Sequence, residues 1–206
     1  MARAELNRSR IVSAGVIVAG ELGLSALSLR AVARRIRTTE ARAQRFISGT
    51  ELVEAVVGEM MATMPSPPPR GHWPRRLRRW ATDTYQWLVD HPGLPRYLQV
   101  NRWDTLMALD RCEELATVLG EVGLSEEDQV RAGTVLFDFV VAAACADESC
   151  RVIGTELAVE RIAGSVDRWP LLGSQSLGSP VQWSVDKFEF GLDLMMTGIE
   201  VRCRTS

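Results

Sequence analysis

Ala26-Leu-Ser-Leu-Arg30-Ala-Val-Ala-Arg-Arg35-Ile-Arg-Thr-Thr-Glu40-Ala-Arg-Ala-Gln-Arg45-Phe-Ile47 reads as helix, tight turn, helix. Ser28 is a side-chain N-cap for a short helix, Leu29–Ile36, whose Val32 and Ile36 face inward. Thr38 or Thr39 caps the next helix, Glu40–Phe46, and Ser48-Gly49 punctuates before a helix over Glu51–Met64. Upstream, the apolar period runs from about Leu6 to Leu22 and stops at Gly23, which suits a left-handed cap. Helices this short, within about 60 residues, bury too little apolar surface alone and need a neighbour.

That neighbour lies beyond Pro65-Ser-Pro-Pro-Pro-Arg-Gly71, a break in the pattern and a natural boundary. Trp73, Leu77, Trp80, Thr84 and Trp87 then recur at helical spacing until His91-Pro92-Gly93 stops the run. Further helices are expected over Leu94–Val100, Trp103–Val122, Glu126–Cys145, Thr155–Asp167 and Ser184–Val201, with a Gly/Ser loop over Leu171–Pro180. Glu126, Glu127 and Asp128 complement the helix dipole in the first turn of their helix. No alternating strand pattern is evident. The predicted fold is therefore all-α, an N-terminal three-helix helix-turn-helix domain (1–50) followed by a connecting helix (51–64), a Pro-rich linker (65–72) and a helical bundle (73–206). The last helix is apolar on two faces, Phe188, Leu192, Met195 and Ile199 on one, Phe190, Leu194 and Val201 on the other. Together with Glu126–Cys145 it suits a four-helix interface around a twofold axis, a homodimer; the alternative is that both are central helices of a monomer.

The composition, 46% hydrophobic and 24% charged over 206 residues, is that of ordinary globular material. No run of about 18 to 20 apolar residues stands out as a membrane span. Ile11–Ala19 imitates a short signal peptide, but Ser13 and Gly15 interrupt it and Glu21 stands where a small-residue cleavage site belongs. A cytoplasmic location, with no membrane partner, is expected. Within residues 1–50, nine arginines face Glu5, Glu21 and Glu40, a balance of +6, so a chain of net charge −2 carries −8 elsewhere. The imbalance fits either a polyanion partner for the N-terminal part or a solvated arginine-rich face. A second basic cluster comprises Arg70, Arg75, Arg76, Arg78 and Arg79. Cys112, Cys145, Cys150 and Cys203 form no CxxC pair, and His72 and His91 are the only histidines. Neither a metal site nor a cofactor is expected, and the cysteines read as buried free thiols.

Arg10-Ile11-Val12, Gly23-Leu24-Ser25-Ala26-Leu27-Ser28-Leu29-Arg30, Val32-Ala33, Arg45-Phe46 and Gly49-Thr50-Glu51-Leu52 resemble the N-terminal domain of TetR-family regulators. His91-Pro92, Gly123-Leu124-Ser125 and Phe188-Glu-Phe-Gly-Leu-Asp-Leu194 with Gly198 are similar to the ligand-binding half of that family. The resemblance covers nearly the whole chain. It implies an all-α homodimer that holds operator DNA until a small molecule enters a pocket in the C-terminal bundle. The second helix of the pair departs from the family pattern. Arg37 stands where the family has a turn glycine, Thr38 at the next apolar position, Ala43 for the usual leucine, Gln44 for tyrosine and Thr50 for lysine.

Two readings follow. In the first the contact set is rewritten: Ser28, Arg30, Arg37, Thr38, Thr39, Arg42, Gln44, Arg45 and Thr50 meet DNA, Gln44 suiting adenine and Arg42 guanine. In the second, DNA binding has decayed and the pocket serves as a sensor or an enzyme that cyclises or rearranges a natural-product intermediate. The pocket candidates are Trp80, Thr84, Trp87, Trp103, Met107, Phe137, Val141 and Cys145, suited to a small, largely apolar or aromatic ligand, although aromatic stripes also build plain cores. Asp138, within Leu136-Phe-Asp-Phe139, is the carboxylate expected to be desolvated and so the candidate general acid or base, unless it is paired with an arginine. A ligand-responsive repressor is the leading expectation.

Overall fold

The computed structural model describes residues 6–101, 105–153 and 180–205. Among these the chain is all-helical. α1 (Arg8–Leu22), α2 (Leu29–Arg35), α3 (Glu40–Ala43) and α4 (Gly49–Met61) form a head, with a single 3-10 turn at Leu24–Ala26. α5 (Trp73–Val89), α6 (Leu94–Asn101), α7 (Leu106–Gly120), α8 (Glu126–Ile153) and α9 (Pro180–Thr205) form the body. The expected helix over 155–167 and the loop over 171–179 lie outside the described residues.

Caps set the helix starts in the head. Asn7 Oδ1 accepts the Arg10 amide at 2.9 Å, so α1 begins at Arg8. Ser28 Oγ accepts Ala31 N–H at 3.1 Å, and Thr39 Oγ1 accepts Arg42 N–H at 3.3 Å. Ser48 and Glu51 close a reciprocal capping box, Glu51 N–H to Ser48 Oγ at 3.2 Å and Ser48 N–H to Glu51 Oε2 at 2.7 Å. This starts α4 two residues before the expected Glu51. The helix expected over Glu40–Phe46 is cut to one turn, because Ile47 must turn into the core and Ser48 must be free to cap α4. Ile11, Ala19, Val32, Leu52 and Val56 are completely buried where α1 meets α2 and α4. Burying such a side chain stabilises the fold by about 1.5–3 kcal/mol. Ala43, in the position of a bulkier residue, is itself fully enclosed.

In the body α8 is the central element, packed against α7, α5, α9 and α6. It runs eight residues past the expected Cys145, since neither glycine nor proline interrupts Ala146–Ile153. Contrary to the sequence expectation, Glu126–Ser149 is long and apolar enough to cross a membrane by length and composition alone. Leu136, Phe137, Val140, Val141 and Ala144 of this stretch are instead buried within the body. A Cβ on Gly133 would lie 3.1 Å from Ala116 N and 3.2 Å from Cys112 O, so this residue lets α7 and α8 cross closely. Trp80 stacks on Phe137 with centroids 6.3 Å apart, and Phe188 lies 4.2 Å from Tyr85 and 5.6 Å from Phe139, joining α5, α8 and α9.

The Pro-rich segment is tied down along its length. Trp80 Nε1 donates to Pro65 O at 3.1 Å, Arg76 Nε to Pro68 O at 2.6 Å, and the Arg111 guanidinium to Ser66 Oγ. Three of the five arginines in the second basic cluster are engaged within the body: Arg76 with Glu121 at 2.5 Å, Arg79 with Asp83 at 3.4 Å, and Arg78 with Asp193. That cluster mostly coats α5.

Candidate nucleic-acid interface and effector pocket

α2 ends on a left-handed residue. Arg37 N–H bonds Arg34 O at 3.2 Å and Thr38 N–H reaches back to Ala33 O at 2.9 Å, the paired bonds of a Schellman motif. The motif requires a positive φ at Arg37, which has φ 54°, alone among the non-glycine residues described. A Cβ there costs about 1–2 kcal/mol, so the turn stores strain that a glycine would relieve. The guanidinium above it is exposed.

Around this turn the sequence-derived set gathers on one exposed stretch. Arg30, Arg37, Thr39, Arg42, Gln44, Arg45 and Thr50 are all exposed, Ser28 is exposed at the α2 cap, and Thr38 is half-buried behind Arg37. Among the described residues Arg30, Arg37, Arg42 and Arg45 make no ion pair, whereas Arg35 is forked onto Glu21 at 2.6 and 2.9 Å. Charge here is left uncompensated while it is neutralised on α5. Ser28 and Thr39 accept amide hydrogens, so each hydroxyl keeps its own proton to donate to a phosphate oxygen. Glu51 is held as a carboxylate below its ordinary range by the Ser48 amide and hydroxyl.

The pocket set is brought together only in part. Trp80, Thr84 and Phe137 are fully buried in one layer between α5 and α8. Within that layer the Thr84 hydroxyl has no hydrogen-bond partner. Val141 lines a hollow of about 270 Å³ between α6 and α8 with Phe137, Leu98 and Gln99. Cys145 lines a separate cleft of about 550 Å³ where head and body meet, with Leu24, Val53, Arg96, Tyr97 and Glu148. Its thiol lies 3.5 Å from Gln99 Oε1, and burial pushes its pKa up, so it is not an activated nucleophile. Trp87 is half-buried and packs against the His91 ring, centroids 4.3 Å apart and planes tilted by 32°, and Met107 packs half-buried against the core. Trp103 lies outside the described residues.

Asp138 is a correction. Phe137 is buried, and one residue on, a turn of about 100°, Asp138 is exposed at the wall of the hollow that Val141 also lines. The carboxylate enclosed on α8 is Asp147, fully buried. Sequence reasoning also missed Glu148 and Tyr97. The signal available for Glu148 was weak, a glycine after the His91-Pro92 stop whose amide needs a partner. Of the described cysteines, Cys112 is buried, while Cys145 and Cys203 are only half-buried.

On α8 and α9 an apolar groove of about 340 Å³ runs past Leu124, Val135, Met195 and Ile199. Arg202 forks onto Asp128 at its edge, at 3.0 and 3.2 Å, holding that carboxyl below its usual range. Beside it Val130, Val135, Phe190, Leu194 and Val201 are each more than half exposed, so both helices carry the second apolar face read from sequence.

Comparison with known proteins gives a consistent picture. The chain is 28% identical over 215 residues to the HTH-type transcriptional repressor DrrR1 of Streptomyces coeruleorubidus, covering 95% of this chain and 78% of that protein. Its fold is shared with apo ActR from Streptomyces coelicolor (TM-score 0.76, 22% identity, 97% of this chain and 99% of that one). The same holds for ActR in complex with actinorhodin (TM-score 0.75, 24% identity, the same coverage of both chains). Residues 64–203, well over half of the sequence, match the family described as tetracyclin repressor-like, C-terminal domain, and the chain therefore belongs to the TetR family of transcription regulators.

Proposed function

We propose that this protein is a ligand-responsive repressor that occupies a palindromic operator as a homodimer in the cytoplasm. Residues 1–50 form the DNA-binding domain, 51–64 connect it, 65–72 strap it to the body, and 73–206 bind ligand and dimerise. The observation that carries this reading is the set of exposed arginines around a strained turn, Arg30, Arg37, Arg42 and Arg45, which make no ion pair among the described residues, whereas the neighbouring Arg35 is held by Glu21. Arg37 and Arg45 meet phosphates, with Ser28, Thr38, Thr39 and Thr50 as hydroxyl donors. Arg42 and Gln44 read base edges. The apolar faces of α8 and α9 meet their twofold mates, which places two α3 helices in successive major grooves, about 34–36 Å apart.

The ligand is a small, largely apolar or aromatic molecule, received in the hollow lined by Phe137 and Val141, beside the layer in which the Thr84 hydroxyl has no partner among the described residues. Similarity to a fold crystallised with actinorhodin supports that class. Bound ligand shifts the dimer toward head positions that no longer match the groove spacing. Fluorescence anisotropy with the DNA upstream of its own gene, across a salt series, tests the reading. Operator preference with a steep dependence on salt is expected, because each neutralised phosphate releases counterions. Absence of binding at low salt refutes it.

A further inference from the structure

The Pro92–Gly93 peptide group is bonded at both ends. Its N–H donates to Glu148 Oε1 on α8 at 2.7 Å, and its C=O accepts the Leu24 amide of the head at 2.8 Å. We propose that Glu148 is a positioning residue, fixing the head on the body through this one peptide, and so setting where α2 and α3 stand. The inference rests on the DNA-binding reading only for its functional consequence.

Three features converge on that contact. Gly23 and Gly93 both have left-handed φ, 83° and 86°. A Cβ on Gly93 would lie 3.1 Å from Leu24 Cβ and 3.3 Å from the Leu24 and Ser25 amide nitrogens, and one on Gly23 would lie 3.3 Å from Pro92 O. Backbone therefore meets backbone with no side chain between. A carboxylate acceptor strengthens its hydrogen bond to the peptide N–H and polarises the group, making Pro92 O a better acceptor for Leu24. Helix packing between head and body is otherwise thin, α4 against α7 being its largest contact. Glu148 belongs to the same helix as Phe137 and Val141, so a displacement of α8 reaches Leu24 through two hydrogen bonds. Leu24 opens the turn that leads directly into α2.

Amide hydrogen exchange on the full-length protein, without DNA or ligand, tests this in Glu148→Ala and Glu148→Gln. In Glu148→Ala the Gly93 and Leu24 amides are both expected to exchange about tenfold faster or more, with the amides of α1 and α5 unchanged. Glu148→Gln retains a neutral acceptor and is expected to fall between wild type and Glu148→Ala. A bond with only local importance would expose Gly93 alone, and unchanged protection of Leu24 overturns the proposal. If Glu148→Ala does not fold, Glu148→Gln carries the test by the same two amides. In the anisotropy assay Glu148→Ala is expected to weaken operator binding with an unchanged salt slope, because positioning is lost and no phosphate contact is. Wild-type protein that binds no DNA would sink the repressor reading while leaving the exchange result to stand or fall alone.

Discussion

Arg37→Gly separates stability from DNA affinity at one position. Arg37 occupies the left-handed slot of the turn at φ 54°, with both bonds of the motif formed around it. Removing its Cβ relieves about 1–2 kcal/mol. Glycine returns about 0.5–1 kcal/mol of that as entropy of the unfolded chain. The net gain is about 0.5–1 kcal/mol. For a domain of this size each kcal/mol moves Tm by about 2–4 °C, so the variant should melt about 1–4 °C higher by calorimetry. The same change deletes an exposed guanidinium. If each Arg37 of a dimer neutralises one phosphate, the slope of log K against log salt becomes shallower by about 1.8. Arg37→Lys keeps charge and Cβ, and should match wild type in both measurements. The reasoning fails if Arg37→Gly melts at or below the wild-type temperature, or if its affinity and salt slope are unchanged.

Four further outcomes are expected. Leu194→Glu places a carboxylate on the exposed apolar face of α9 and should convert a dimer to monomer by sedimentation, with the melting temperature of the dilute protein little changed. Ser48→Ala removes the α4 cap and should cost about 1 kcal/mol in thermal or urea unfolding. The capping carboxylate of Glu51 is held below its ordinary pKa of 4.5, so its contribution is complete above that value and vanishes as pH falls through the lowered one. The stability difference between wild type and Glu51→Gln should accordingly close in melts taken from pH 6 down to 3. Trp80→Phe keeps a ring against Phe137 but deletes the donor to Pro65 O, and should speed exchange of the Ser66 amide without emptying the core.

Local chemistry made the head readable. Ser28, Thr39 and Ser48 each put a hydroxyl where a helix start leaves orphan amides, and each serves as the cap. The left-handed residue at Arg37 was signalled only by the resemblance, which sets a turn glycine at that position. The body was harder to phase. α8 is apolar around most of its circumference, so periodicity could not tell inward from outward; Asp138 was placed inside and lies outside, while Asp147 is enclosed. The aromatic residues of α5 shared a helical spacing but not a destination. Trp80 points to the core and the linker, and Trp87 to His91 at the head–body corner. Contacts between distant backbone groups leave almost no trace in sequence. Leu24, Pro92, Gly93 and Glu148 announce their meeting only by two glycines.

The linker does more than mark a boundary, and its docking bears on how the head is controlled. Prolines at 65, 67, 68 and 69 mark a break in the helical pattern and a boundary. A proline-rich segment is already poor in conformations, so little entropy remains to oppose its docking. Three donors then fix it, Trp80 Nε1 and the buried guanidiniums of Arg76 and Arg111. A neutral hydrogen bond contributes about 0.5–1.5 kcal/mol and a charged one about 1.5–3 kcal/mol, enough together to hold a strap of a few residues in place. The head is consequently tied at the turn before α2, through Pro92, and again after α4, through residues 65–68. A unit anchored at both ends cannot swing as a pendant. The turn at Arg37 takes its position from α5, α7 and α8, so on the proposed reading a displacement of those helices moves it with no further contact to the head.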